Sequence, residues 1–574
     1  MRLDRLPTLV LKNRFVPGGW DVLAFVLVFA FLIYVAGAAH GLTGSLSGLE
    51  ATPISLEPGA LVGYAARTAL RMLIAMVASL VFTFTYATLA AKSRRAEIVL
   101  VPLLDILQSL PILGFSITSV FFLSLTPGRV AGAELACIFL IFTSQAWNMA
   151  FSFYHSLRSI PHELDEAARS FRLSPWMRFW RLEVPFAMPP LIWNMMMSMS
   201  GGWFFVVAAE AIDLGDTKVT LPGVGSYVAL AIAQRNLGAI GWAIAAMFVV
   251  ILVFDQLLFR PLIASADWFR LEQEAGLSHS NSWALTMMRR SRILGVISRL
   301  FVGFLNLGSK SRKPLVIRPR VGGEQGGRLG DFIWYAAIAL VGVIALLKAV
   351  QFVFTDITLA EVGHVVSLGF LTFLRVGVLI AIASLIWVPI GIYVGLRPRV
   401  ASIVQPIAQF LAAFPVNLIY PIVVSGIVLW KLSPDIWLSP LMILGTQWYI
   451  LFNVIVGASA IPADMRYAGQ NFHVRGWLWW KRIALPAVFP FYVTGAITAS
   501  GGSWNASVVS EVAEWGQEHL QAAGLGSYIS HATGTGDFRR TVVGIVVMAL
   551  FVVVINRVFW KPLFARAERK FRMS

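Results

Sequence analysis

Four ionisable residues stand in or at the edge of long apolar runs of this 574-residue chain: Arg71 in TALRMLIAM, Arg375 in LTFLRVGVLI, Glu210 after GGWFFVVAA and Glu511 after GGSWNASVVS. A charge at membrane depth is costly, so each asks for an internal partner or a solute path. A planar guanidinium fork matches the oxygens of carboxylate, sulfonate, nitrate or bicarbonate. Arg71 and Arg375 therefore either project toward a central path for an anion, or pair with internal carboxylates or reach the outer interface. Glu210 and Glu511 are the evident partners. Each follows Trp203 or Trp504 by seven residues, about two helical turns, so tryptophan and carboxylate share a face. Small residues just before each tryptophan permit close helix approach at a central seam. These six residues are candidates for lining the translocation path, with packing and an Arg–Glu pair as the competing role.

Other polar groups in the runs carry weaker signals. Trp147, Trp448, Gln145, Gln447 and Asn194 read as packing or interfacial anchoring. Asp105 and Gln108, one turn apart before Pro111, either line the path or hydrogen-bond a kinked backbone, the latter being favoured. His162, His473, His519 and His531 lack ligand spacing such as H-E-x-x-H, so no metal site is expected. The Met195–Met199 cluster reads as adaptable helix packing.

These residues need elements to hold them, and the composition says which. The chain is 58% hydrophobic and only 13% charged, about half the charge share of a soluble protein. Apolar runs of roughly twenty residues recur from end to end, each long enough to cross a bilayer core of about 30 Å. The fold class is an all-α polytopic membrane protein. A net charge of +17 fits the excess of Lys and Arg in cytoplasmic loops rather than nucleic-acid binding. The single cysteine, Cys137, lies in an apolar run, which excludes a disulfide framework. The basic N-terminus lacks a small-residue cleavage site, so a retained first span with a cytoplasmic N-terminus is expected.

The first half, residues 1–263, holds six expected spans near 21–40, 62–91, 98–125, 131–155, 189–214 and 239–263. Basic residues at the N-terminus, at 92–95 and between 161 and 190 alternate with charge-poor connections such as 41–61, placing both ends of the half in the cytoplasm. Residues 264–329 are a polar, basic linker. Within it Trp283–Leu305 reads as an interfacial amphipathic helix on anionic lipid, or else as a solvated linker. The second half, 330–574, has expected spans near 332–354, 367–396, 403–430, 436–458, 490–513 and 541–563.

The halves are copies. PHELDEAARSFRLSPWMRFWRLEVPFAMPP at 161–190 returns, displaced by 301 residues and without a gap, as PADMRYAGQNFHVRGWLWWKRIALPAVFP at 462–490. The same displacement maps Trp147 to Trp448, Trp203 to Trp504, Glu210 to Glu511 and Gly225 to Gly526; earlier it is 304, mapping Arg71 to Arg375 and Pro111 to Pro415. Six spans per copy is even, so the copies enter the membrane alike, as parallel repeats about an axis along the membrane normal. Both polar islands then hang in the cytoplasm, as matching docking surfaces should.

Glu166-Ala167-Ala168 followed by Pro185, between the last spans of a half, resembles the EAA loop of ABC importer permeases. The flanking GGWFFVVAAE with PGVGSYVALA, and GGSWNASVVSE with AGLGSYISHA, resemble the nitrate, sulfonate and taurine branch. The resemblance implies a type I importer permease of about twelve helices with two fused, duplicated components, in a prokaryotic inner membrane with both termini cytoplasmic. It implies two copies of a cytoplasmic ATPase gripped through these loops, ATP and magnesium held on that partner, and an extracytoplasmic binding protein delivering a small anion. No cofactor would be bound by this chain: a G-x-x-x-x-G-K-[ST] phosphate loop is missing from the sequence. The second copy departs from the pattern, with Tyr467-Ala468-Gly469 in place of EAA and Pro486 conserved in place. The family glycine after EAA is Arg172 in one copy and His473 in the other, which implies unequal grip on the two ATPase subunits, or drift in a loop shaped by its other residues. A secondary transporter with parallel repeats is the alternative, but leaves the doubled loops without purpose. A membrane enzyme would need paired carboxylates or a His cluster at depth, which the sequence does not offer.

Overall fold

The computed structural model describes residues 53–109, 117–128, 130–214, 217–266 and 350–571, with scattered positions between 336 and 348. The expected first span at 21–40, Pro111, and nearly all of the basic linker with its amphipathic segment lie outside the described residues. Residues 161–189 and 255–266 fall in one compact unit and the other described residues in a second.

The first half contains α1 (Pro58–Lys92), α2 (Arg94–Ser109), α3 (Ile117–Leu125), α4 (Val130–Arg158), α5 (His162–Ser170), α6 (Pro175–Ala209), the hairpin β1 (Ala211–Leu214) and β2 (Thr217–Thr220), α7 (Val224–Ala233) and α8 (Leu237–Ile263). The second half repeats this order as α9 (Leu359–Gly395), α10 (Pro398–Ala413), α11 (Val416–Leu429), α12 (Pro434–Leu444), α13 (Gln447–Ser459), α14 (Ala463–Asn471), α15 (Gly476–Ser510), β3 (Val512–Trp515), β4 (Glu518–Gln521), α16 (Leu525–Gly534) and α17 (Phe538–Ala567). From α5 and α14 onward the starting residues correspond at 301 residues without exception. Even the single π-turns recur, at Phe179–Glu183 and Trp480–Ala484, and at Asp255–Phe259 and Asn556–Trp560.

Local chemistry explains the starts. Pro58, Pro175 and Pro398 occupy first helical positions, where a missing N–H costs nothing. Thr358 and Asp537 cap α9 and α17 by accepting from the amides of Glu361 and Arg540. The long apolar sequences then carry the helices across a membrane's depth.

Among the described residues seven helices are long and apolar enough to span, and two bent pairs raise this to nine. Three further expected spans fall at 21–40, at 98–125 and at 332–354. Within 98–125 the described residues form α2 and α3, and 110–116 lie outside the description. The span expected near 403–430 is α10 and α11, bent by 68°; Pro415 lies at the bend, and proline disfavours helix at the residue before it. The span near 436–458 is likewise α12 and α13, bent by 43°. The spans expected to run to 214 and 513 instead end at Ala209 and Ser510, where the chain turns into antiparallel hairpins.

In the larger unit α1 lies along α4, and α9 along α13 with α15 packed beside it. The core of the second half gathers Val376, Ile380, Ile450, Val454, Trp504 and Val547.

Candidate functional site

The four charges singled out by the sequence meet in two equivalent clasps. In the first, Arg71 Nη1 donates to Glu210 Oε1 at 2.6 Å, while Nε and Nη2 donate to the two oxygens of Glu134 at 2.6 and 2.7 Å. Thr68 Oγ1 and the Gly225 amide also donate to the Glu210 carboxylate, at 2.7 Å each. The side chains of Arg71 and Glu210 are 4% and 0% exposed. In the second, Thr372 Oγ1 and the Ser527 amide donate to Glu511 at 2.8 and 2.9 Å, and Arg375 reaches Glu511 at 3.4 Å and Asp435 at 2.9 Å. A carboxylate removed from water is tolerable only with such a complement of donors. Each clasp ties α1 or α9 to the end of α6 or α15 and to the turn before α7 or α16.

The glycines of PGVG and AGLG are explained by this contact. A Cβ at Gly223 would lie 2.2 Å from the Glu210 carboxylate, and one at Gly524 would lie 2.3 Å from Glu511 Oε2. Only glycine lets the backbone approach a buried carboxylate so closely.

Glu134 and Asp435, which complete the clasps, were not among the expected site residues. They stand at the same 301-residue displacement as Glu210 and Glu511, so the repeat itself held the signal.

A cavity of about 510 Å³ lies between the halves. Direct bonds join its two walls: Ser200 Oγ donates to the Ala412 carbonyl, and Asn417 Nδ2 to the Phe204 carbonyl at 2.9 Å. Its lining mixes aromatic and aliphatic side chains with amides and hydroxyls, with no lysine, arginine, histidine, aspartate or glutamate among the described lining residues. Of the six path candidates only Trp504 lines it; Trp203 is buried edge-on against Phe254. Arg71, Arg375, Glu210 and Glu511 are engaged in the clasps instead. Gln108 lines the cavity and donates to Asn148 Oδ1 at 2.9 Å, a side-chain contact in place of the expected backbone one. Trp147 packs edge-on against Phe82 and Phe142 while also lining the cavity, and Gln145 Nε2 meets Met72 Sδ. Asn194 Nδ2 bonds Ser152 Oγ and the Pro190 carbonyl. Among the described residues no cluster of three metal-ligating side chains occurs.

The two repeated islands each form a short helix with the same ending. In α5, Arg172 N donates to Arg169 O and Leu173 N to Ala168 O; in α14, His473 N donates to Gln470 O and Val474 N to Gly469 O. This is the Schellman closure, whose residue after the cap takes a left-handed conformation and is usually glycine. Arg172 and His473 hold that place with φ of 49° and 53°. The backbone shape is thus kept in both copies although the glycine is not, at a cost of about 1 kcal/mol each. The two helices are held differently within their own surroundings. In the first, Arg178 bonds Asp165 at 2.7 Å and Glu183 at 3.1 Å. In the second, the equivalent of Arg178 is Trp479, and Gly469 lies against Ile483 and Trp479. Glu166, Ala167, Tyr467 and Ala468 are exposed; Ala168 and Gly469 are buried, while Pro185 and Pro486 are half-buried.

Replacing Arg172 or His473 by glycine is expected to leave thermal stability within about 1 kcal/mol of the parent, because relief of strain and the added unfolded-chain entropy nearly cancel. Valine at either position is expected to lower stability by about 1–2 kcal/mol, since a β-branched residue suits that conformation least. Thermal unfolding of the detergent-solubilised protein separates the two outcomes.

Comparison with known proteins agrees with the repeat. Residues 82–260 and 387–559 each match the family of binding-protein-dependent transport system inner membrane components. The nitrate import permease protein NrtB of Synechocystis is 24% identical over 203 residues, covering 35% of this chain and 70% of that protein. The glycine betaine/carnitine transport permease protein GbuB of Listeria monocytogenes is 28% identical over 168 residues, covering 29% and 54%. The bicarbonate transport system permease protein CmpB of Synechococcus elongatus is 29% identical over 133 residues, covering 23% and 46%. The matches thus cover 46–70% of these relatives' lengths. All three are transport components, not enzymes. The clasp and the island are each present twice, once per matched region: this chain belongs to the binding-protein-dependent transport system inner membrane component family, as a fused, duplicated ABC importer permease.

Proposed function

We propose that the chain is the complete membrane pathway of an ATP-driven importer for a small anion such as nitrate, a sulfonate, taurine or bicarbonate. The observation that carries the coupling is the return of α5 as α14, with the same length, Schellman ending and following π-turn, 301 residues later. Two like helices, one per half, suit a motor of two like subunits. Each would seat on one copy of a separate cytoplasmic ATPase, which holds ATP and magnesium; this chain would bind neither. An extracytoplasmic binding protein would deliver the solute. Both termini would face the cytoplasm. Grip would run through Glu166, Ala167, Ala168, Arg172 and Pro185 on the first loop and Tyr467, Ala468, Gly469, His473 and Pro486 on the second.

The anion reading is supported by the nitrate and bicarbonate named for relatives and by a cavity lined with N–H and O–H donors without a carboxylate among its described residues. A second reading, a quaternary ammonium solute, is favoured by the aromatic faces of Trp147, Trp193, Phe204 and Tyr420 in the same lining, since such faces attract cations.

Deleting residues 162–173 or 463–474 is expected to abolish capture of the ATPase subunit and solute uptake by cells carrying the whole transporter. Full uptake with either helix gone would end the coupling assignment. Uptake of nitrate, taurine, bicarbonate and glycine betaine by the intact transporter decides between the solutes.

A further inference from the structure

The cavity is shared by two copied halves, yet its polar groups are not copied. The position after Trp147 is Asn148; the equivalent position after Trp448 is Tyr449, and both line the cavity. Asn148 is the one exposed residue between Thr143 and Ala150. Its Oδ1 accepts from Gln108 Nε2 at 2.9 Å, which fixes the orientation of the amide and leaves Nδ2 uncommitted. The Tyr449 hydroxyl and the Trp193 indole N–H, also in the lining, make no hydrogen bond among the described residues. Other polar side chains of the wall spend donors on the backbone: Asn453 on the Tyr449 carbonyl, Thr498 on Thr494, Ser200 on Ala412.

These three neutral donors, N–H, O–H and N–H, stand beside further neutral polar groups such as Ser500 and Asn556, with no fixed charge among the described lining residues. Hydrogen bonds to an ionised acceptor are stronger than those between neutral groups, so such a set favours an oxyanion over a neutral solute. A guanidinium or ammonium in the wall would hold the anion too firmly, whereas passage requires contacts weak enough to release. The arginines that could have done so are each held by two carboxylates outside this lining.

We propose that Asn148, Tyr449 and Trp193 form an asymmetric, uncharged recognition site for the oxyanion head of the solute in transit, with Gln108 positioning the Asn148 amide. The membrane component then selects its solute a second time, after delivery. This rests on the anion reading given above.

The test uses cells carrying the whole transporter and initial uptake rates of labelled nitrate and taurine across a concentration series. Tyr449→Phe and Asn148→Leu each remove one donor to a charged acceptor, and uptake efficiency for the transported anion is expected to fall about tenfold. Asn148→Gln should restore part of it, at equal amounts of protein in the membrane. Gln108→Leu should reduce uptake less than Asn148→Leu. Wild-type kinetics in both Tyr449→Phe and Asn148→Leu, with nitrate or taurine still transported by the parent, overturns the recognition site and leaves the anion reading standing. A parent that moves glycine betaine and neither anion overturns both.

Discussion

Arg71→Ala is expected to destabilise the protein by about 3–5 kcal/mol, the usual result of breaking a buried ion pair by removing one partner. The reason is what remains. Glu210 stays in place with its carboxylate fully buried, and Glu134 loses both of its guanidinium contacts. Thr68 and the Gly225 amide still donate to Glu210, but two neutral donors do not replace a cation. Because Arg71 joins α1 to the end of α6 and to the turn before α7, the loss is felt by three segments at once. The equivalent Arg375→Ala should cost clearly less. Its contact to Glu511 is longer, at 3.4 Å, and its second acid, Asp435, is 56% exposed and can be rehydrated. Exposed pairs contribute only about 0–1 kcal/mol. Thermal unfolding of the two variants in detergent therefore reads an asymmetry that the sequence alone conceals. Equal stability of Arg71→Ala and the parent would remove the clasp from any structural role.

The clasps also show where reading the sequence stops. The arginine–glutamate partnership was legible, because a charge in an apolar run must find an opposite one and the repeat offered a single acid per half in the right position. The third member escaped notice because it is Glu134 in one copy and Asp435 in the other, and Glu134 lies only five residues into α4. The islands were legible as a repeated polar element from their polarity and duplication. The reason for the glycine in the family pattern was not, since a left-handed φ is a property of the helix ending and no side chain announces it. Arg172 and His473 looked like departures; in the structure they take up the conformation that the glycine would have taken. The hairpins were missed for a different reason. The first strands, Ala211–Leu214 and Val512–Trp515, are only four residues long and mostly apolar, with one acid each, directly after an apolar helix. Nothing in period or hydropathy separates them; the chain leaves the helix where the buried Glu210 and Glu511 meet their donors.

A disulfide between Arg235→Cys and Gly516→Cys is expected to stop transport under oxidising conditions and release it on reduction. The two residues come from different halves. Gly516, at the tip of the β3–β4 hairpin with φ of 65°, donates its amide to the Ile232 carbonyl at the end of α7 at 3.0 Å. A Cβ added there would lie 2.8 Å from Arg235 Cγ, which puts the two Cβ atoms within about 4 Å, the separation a disulfide needs. Arg235 also approaches Glu518 at 3.9 Å. The contact is reciprocal, since β1 of the first half packs against α16 of the second. These hairpins follow the C-terminal ends of α6 and α15, whereas the helices assigned to the ATPase precede their N-terminal ends. Each half thus reaches across to the other beyond the C-terminal ends of α6 and α15. Alternating access in a pseudo-symmetric transporter rocks one half against the other, so the hairpin contacts must part whenever that end opens. Cys137 is buried and offers no competing thiol. A cross-link that forms, as shown by protection of both new thiols from alkylation, while uptake continues at the parental rate, would mean that this end opens without separating the hairpins. An uptake that falls with oxidation and returns with reductant identifies the crossed hairpins as the outer closure, whose contacts at Gly516 are a backbone hydrogen bond and a long ion pair nearby, weak enough to part at every cycle.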